Sequence, residues 1–355
     1  SGIDMETPER PGARIERDLD TGEPNGILIE MLSYIRGEVM PPFSGEELDE
    51  AFRLANRYFL SSGITSFQEA TYRNDLDRWH TVRSCQKSGT LRSRVSMMTG
   101  PETRMQFQKE GFITGTGDDY LRMGGVKIML GESAGQAELS QSELNRLVTD
   151  CHRAGFQLAF HAIRESSIEK AIIALESADS VLPVAGRRHR IEHCSECPPY
   201  LLDRLKKLEA VIVTHPAALF YHGERYLATV SPGQLPWLYR IKTPMDSGLI
   251  VAAASDAPVN PVNPLTGIYG AVTRKAGSRQ ELLPEEVVSP HRALEMYTRN
   301  AAYAAFEEDI KGSITPGKLA DMVVLSDNPA KVSPEKIKDI RVDMTILGGE
   351  VVWER

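Results

Sequence analysis

Lys127, His161, His193 and Asp256 are residues whose types and surroundings suit one chemistry, since each lies within or closes a short apolar run: "VKIML", "FQLAFHA", "RIEHC" and "IVAAASD". Imidazole nitrogens and carboxylate oxygens at converging strand ends suit a borderline divalent ion such as zinc, with one position left for water. A single histidine at a strand end is commonly a hydrogen-bonded rim residue, and a Ser-Asp pair commonly caps the following helix. Four such residues in register, on four separate units, are harder to explain that way. His215 closes "VIVTH" and would hang over the same site, where its imidazole could bind a substrate oxygen. Glu69, at the end of "GITSFQE", has the same standing.

The stretch "RIEHCSEC" admits two readings, a sulfur-held zinc knuckle or a strand end that points His193 into a site. A structural zinc site wants about four ligands, and no second Cys or His pair lies near Cys194 and Cys197. Cys85 and Cys151 fall in separate predicted helices. His80, His152 and His189 read as surface or helix-face residues, and His291 follows Pro290 at a helix start.

The elements that must carry these residues alternate regularly. A helix near 46–62 is opened by Ser44, with Glu47 three residues on as a capping box. After it, β-branched runs at "GITSFQEA", "LRSRVSMM", "GGVKIML", "FQLAFHA", "HRIEHC", "AVIVTHP" and "LIVAAASDAP" are separated by helical segments such as 140–154, 165–178 and 198–208. Strands and helices in that order predict a parallel sheet covered by helices. Seven strands are one short of the eight that close a (β/α)8 TIM-type barrel, and strand ends at the C-terminal face of such a barrel line the site. The expectation is an α/β fold: residues 1–310 as a barrel lacking its first strand, and residues 311–355 as strands of a small β-sandwich. In that second part "LADMVVLSDNP" and "DIRVDMTILGGEVVWE" read as strands, with a turn at Gly348-Gly349 and no helix between them. They need a partner sheet. The polar opening segment, "SGIDMETPERPGARIERDLDTGEPNG", reads as a surface loop.

Composition narrows the function. A chain of 355 residues with 41% hydrophobic content can bury a large core. The net charge of −8 arises from interspersed acids and bases, so neither nucleic acid nor an anionic membrane is an expected partner; a small molecule is. Four cysteines are too few for a disulfide framework, and no apolar run reaches the roughly 18 residues of a membrane span. A cytoplasmic location is expected. There is no Gly-x-Ser-x-Gly elbow, and "GGVKIMLGESAGQ" lacks P-loop spacing, which argues against serine hydrolysis and nucleotide hydrolysis.

Together "FHAIRE", "RIEHC", "SDAPVNPVNPLTGIYGAVTR" and "GSITPGKLADMVVL" resemble the amidohydrolase superfamily, in its YtcJ-like branch, over nearly the whole chain. The resemblance implies a (β/α)8 barrel beside a β-sandwich, and metal-dependent hydrolysis of amide or other non-peptide C–N bonds. It implies one or two divalent ions, zinc foremost, with Lys127, His161, His193 and Asp256 as ligands. Lys127 could be carboxylated to bridge two ions, and Asp256 would also accept the proton of water and return it to the leaving nitrogen. Members of this family begin the site with a His-x-His pair on the first strand, and no such pair occurs here. The expectation is therefore that a preceding segment, in the same protein or supplied separately, completes the barrel; without it the chain should tend to associate into a homo-oligomer. "HAIRESS" stands where "HAIGDRA" is common, which puts Arg164 and Glu165 beside His161 and makes Arg164 a candidate substrate contact. Alternatives are a deaminase or imidase of the same superfamily, and a non-catalytic binding protein with a degraded metal site.

Overall fold

The computed structural model describes residues 2–9, 13–31, 34–131 and 139–355. The opening segment is not the loop its composition suggests: β1 (Arg14–Arg17) and β2 (Pro24–Ile29) pair antiparallel. Turn chemistry explains the difference. The Asp18 carboxylate accepts from the N–H groups of Asp20 and Thr21 and from the Thr21 hydroxyl, and the Asp18 N–H donates to Glu23 O at 2.8 Å, reversing the chain at "DLDTG".

Seven parallel strands then follow in chain order and pair each with the next: β3 (Ser66–Glu69), β4 (Arg94–Thr99), β5 (Leu121–Met129), β6 (Leu158–Ala162), β7 (Arg190–His193), β8 (Val211–Thr214) and β9 (Val251–Ala253). These are the seven expected strands. Strands β3 and β9 are the two edges of the sheet. Helices fill the connections. Gly45–Ser61 carries the expected capping box of Ser44 with Glu47, and Gln141–Arg153 carries a second one of Ser140 with Glu143.

Alternation along the strands sorts side chains into two layers. Phe160, Ile191, Ile212 and Val251 face outward and join the main core against the helices. Burying side chains of this size stabilises the fold by about 1.5–3 kcal/mol each. On the concave side Val211, Val213 and Ala252 meet Ala304 of helix Arg299–Ala304. That helix is tied to the sheet by Gln157 Nε2 on Ala304 O (2.9 Å), Asn300 Nδ2 on Val251 O (2.9 Å) and Gln68 Nε2 on Ala301 O (3.3 Å).

The string "NPLTGIYGAVTR" forms helix Pro264–Thr273, and its glycines have a packing reason. A Cβ at Gly267 would lie 1.7 Å from Tyr297 Oη, and one at Gly270 would lie 2.3 Å from Pro216 O. Small residues are required there because neighbouring segments touch the helix backbone.

At the C-terminal side β10 (Met322–Leu325), β11 (Val342–Leu347) and β12 (Glu350–Glu354) make an antiparallel sheet in that order, with the β11–β12 turn at Gly348 and Gly349, both at positive φ. It is pinned to the parallel sheet by a bidentate ion pair. Arg94 Nε and Nη2 reach Asp321 Oδ2 and Oδ1 at 2.7 and 3.0 Å, and the two side chains are 3% and 4% exposed.

His152 and His189, expected at the surface or on a helix face, are both buried, His152 on helix Gln141–Arg153. Leu158 N–H donates to His189 Nδ1 at 3.0 Å, which leaves the His189 proton on Nε2 to reach His152 Nδ1 at 3.0 Å, and His152 Nε2 meets Leu182 O at 3.1 Å. Every ring nitrogen has a partner in a neutral chain of bonds, which is why imidazoles are tolerated in that core. Burial accordingly pushes the pKa of His189 down to about 3. No helix among the described residues is long and apolar enough to cross a membrane.

Candidate metal centre

His161, His193 and His215 reach the centre from successive strands, but by two different routes. In the register of the sheet, Met129, His161, Glu192, Val213 and Ala252 form one inward row. His161 belongs to it, and His215 follows Val211 and Val213 in parity. His193 pairs with Ala162 in the outward parity and would miss the site on a regular strand. Left-handed backbone at His193 (φ 69°) and Cys194 (φ 51°) ends the strand and turns the imidazole inward. Asp256, also left-handed at φ 60°, arrives from the loop after β9. Non-glycine residues in this region are strained, and strain held by the surroundings concentrates at functional sites.

The result is a tight cluster. His193, His215 and Asp256 each offer a ligand atom, and those atoms lie within 4.8 Å of one another; no other such group of His, Cys, Asp or Glu occurs among the described residues. The His193 ring lies between the other two, with ring centroids 4.5 Å from His161 and 4.3 Å from His215, and His193 Nε2 shares a hydrogen bond of 2.9 Å with His161 Nδ1. Lys127, 7% exposed, is close enough to exchange electrostatic interactions with Glu192, Arg190, Asp256 and Glu69.

Burial is the main force on every group here. It lowers the pKa of His161 to about 4 and of His215 to about 3, lowers His193 further, and lowers Lys127 despite the opposing pull of Glu192. Burial raises Asp256 to about 6 against the pull of Lys127. The histidines thus present neutral nitrogens with lone pairs, the form that binds metal. One further observation fits an ion: His215 Nδ1 is buried without a hydrogen-bond partner. Mixed imidazole and carboxylate donors suit zinc or a similar ion.

The remaining expected residues lie around this group. Glu69 at the end of β3 is held by its own loop, accepting from Thr71 N–H at 3.3 Å and from the side chains of Thr71 and Asn74. Arg164 is exposed at the start of helix Glu165–Asp179, and its charge acts on Glu196. Glu165 accepts from the Tyr200 hydroxyl at 2.8 Å on the outer side of that helix. The end of the Gly-rich stretch that contains Lys127, residues 132–136, lies outside the described residues.

Under the centre is an ion pair that the sequence reading missed. Glu192 is 4% exposed and receives Arg190 Nε and Nη2 at 2.7 and 3.1 Å, and Arg190 Nη1 continues to the Gln68 side chain. Two charges two residues apart on one strand share a face, so "RIEH" contained the signal that its charges point inward with the site.

The family model described as the amidohydrolase family matches residues 1–353. The chain belongs to the amidohydrolase family. Among its relatives are YtcJ of Bacillus subtilis (strain 168), 24% identical over 379 residues covering 100% of this chain and 70% of that protein, and the N-substituted formamide deformylase of Arthrobacter pascens, 26% identical over 387 residues covering 100% and 70%. A solved metal-dependent hydrolase of Pyrococcus furiosus superposes with a TM-score of 0.69 at 22% identity, covering 84% of this chain and 63% of that one. This amidohydrolase-family chain thus spans roughly two thirds of the length of these proteins.

Cys194 and Cys197 are buried free thiols, 5% and 3% exposed, and no third ligand joins them among the described residues. Changing both to Ser should leave metal stoichiometry unchanged, measured by elemental analysis after dialysis. A loss of bound metal would establish a sulfur site instead.

Proposed function

We propose that this chain carries a metal-dependent hydrolase site that cleaves amide or other non-peptide C–N bonds in a small molecule. The observation that carries the proposal is the convergence of His193, His215 and Asp256, with His161 bonded to His193 and Lys127 beside them. These residues would hold one or two divalent ions, zinc the expected one; His215, expected as a substrate contact, is near enough to be a ligand. When bound, such an ion supplies Lewis acidity, polarising a carbonyl and lowering the pKa of water from about 15.7 toward about 7.

The protein groups do the rest. Asp256 takes the proton of the attacking water on a carboxylate oxygen and returns it to the leaving nitrogen, general base and then general acid. The His161–His193 bond fixes one imidazole against the other. Lys127, whose charged form burial disfavours, lies beside Asp256 and Glu192 and would join the ligands as a neutral or carboxylated amine. Arg164 and Glu69 are proposed as substrate contacts at the mouth. The name of the Arthrobacter relative, a deformylase of N-substituted formamides, describes C–N cleavage and supports the reaction class.

The test is amine release from a panel of simple N-acyl amides by the zinc-loaded protein. Release that stops with a chelator and returns with added ion is expected. Release indifferent to chelation, or none from any amide while the protein holds its metal, contradicts the proposal.

A further inference from the structure

A cavity of about 300 Å³ opens where three parts of the chain meet: the C-terminal end of helix Gly45–Ser61, the start of helix Pro264–Thr273, and the open end of the β11–β12 hairpin. None of its lining residues belongs to the metal centre. Small-molecule sites occupy ~300–1,000 Å³, so the space suits a ligand of modest size.

Its charge is one-sided. Arg341 and Arg355 both line it and no carboxylate does, although the chain as a whole carries a net charge of −8. Asp343 and Glu354, the nearest acids in the hairpin, are not among the lining residues. Both arginines are exposed at the rim, and neither guanidinium has a hydrogen-bond or ion-pair partner among the described residues. Beneath them the floor is apolar, made of the buried side chains of Leu265, Ile340 and Val342. Trp353 forms a half-buried wall, and among the described residues no other ring or cation stacks on its indole. A single unpaired surface arginine is ordinary. Two at one rim, over an apolar floor and beside a free indole face, make a place for an anion that also carries a flat apolar part.

The walls are held in place by main-chain bonds that leave these side chains free. Arg341 N–H donates to Ser326 Oγ at 3.1 Å and its carbonyl accepts the Ser326 N–H at 2.9 Å, while Arg355 N–H donates to Asp343 O at 3.1 Å. Trp353 lies opposite Thr345 in the hairpin, and Thr345 Oγ1 donates to Leu60 O at 2.6 Å, fastening the sheet to the helix end. Asn263, on the third wall, spends its carboxamide oxygen on the Leu265 N–H at 3.0 Å, so its amino group is the part left to donate.

We propose that this cavity binds a small aromatic carboxylate, its carboxylate held at the rim by Arg341 and Arg355 and its ring lying against Trp353 over the apolar floor. A guanidinium matches the two oxygens of a carboxylate in geometry as well as charge, and the pair is stronger than a neutral hydrogen bond. The site is separate from the metal centre, and the inference does not depend on the reaction proposed there.

The experiment measures affinity by ligand-observed NMR on the chelated, metal-free full chain, where a carboxylate cannot report an ion at the metal centre. Three probes separate the parts: 2-naphthoate, its neutral isostere 2-naphthamide, and cyclohexanecarboxylate, which has the charge without the flat ring. 2-Naphthoate should bind about tenfold more tightly than either of the others. Arg341→Gln changes an exposed side chain whose main-chain bonds to Ser326 remain, so the fold should be unaffected. It should bring 2-naphthoate down to the affinity of 2-naphthamide. Trp353→Leu should remove the advantage of 2-naphthoate over cyclohexanecarboxylate. Absence of 2-naphthoate binding, equal affinity for 2-naphthoate and 2-naphthamide, or a preference that survives Arg341→Gln would overturn the site.

Discussion

Asp256→Asn is expected to lower turnover by about 10²- to 10⁴-fold, the usual range for removal of a positioned acid-base group. The substitution removes the proton acceptor and also weakens a proposed metal donor, so turnover is compared at equal metal content. Asparagine keeps the size of aspartate and one carbonyl oxygen, and it is among the residues that best tolerate the left-handed backbone at this position, φ 60°. The bond from Asn260 Nδ2 to Ser255 O, which holds the loop, does not involve the changed side chain. Thermal unfolding should therefore stay close to that of the unaltered protein. Turnover within a factor of two of that protein would exclude Asp256 from proton transfer.

The largest stability effect is expected far from the centre, at the ion pair between Arg94 and Asp321. Asp321→Ala removes both acceptors of a guanidinium that is 3% exposed, and breaking a buried pair from one side costs about 3–5 kcal/mol. It also removes the acceptor of the Gly348 N–H, at 2.8 Å, in the β11–β12 turn. Arg94 retains only Asp119 O, at 3.1 Å, and the Tyr120 ring, at 4.8 Å. Chemical denaturation should show the loss as a lower midpoint. A change under about 1 kcal/mol would mean that water reaches Arg94 once the carboxylate is gone, and that the C-terminal sheet is not pinned there.

Much of this architecture is legible in the sequence because it follows from local rules. Seven β-branched runs separated by amphipathic segments specify seven parallel strands, and Ser44 with Glu47 marks a helix start three residues wide. Asp18 and Thr21 carried a turn signal as well, but the charged, Pro-rich surroundings of β1 and β2 concealed the alternation that would have marked them as strands. His161 and His215 are readable for the same reason as the strands, since alternation alone points them inward. His193 is readable only as the end of a run; its inward aim depends on two consecutive left-handed residues, which no pattern in "EHCSE" announces.

Tertiary pairing is what the chain alone conceals. His152 and His189 lie 37 positions apart and are at home in the core only because each satisfies the other. Tyr239 is carried by a segment without strong periodicity, and its backbone is fixed by Arg274, 35 positions away, and Ser195, 44 positions away. Arg190 and Glu192 could have been read from their spacing on one strand, but which face of β7 they occupy follows from the register with β6 and β8.

His193, His215 and Asp256 are proposed to hold a divalent ion. The most direct test is anomalous X-ray diffraction at the zinc edge on crystals of the protein purified with zinc and dialysed against metal-free buffer. An anomalous peak is expected, bounded by the His193 and His215 rings and the Asp256 carboxylate, at ligand distances of ~2.0–2.2 Å for nitrogen and oxygen donors. Crystals with no peak at that position, or with zinc held by Cys194 and Cys197 instead, would contradict it.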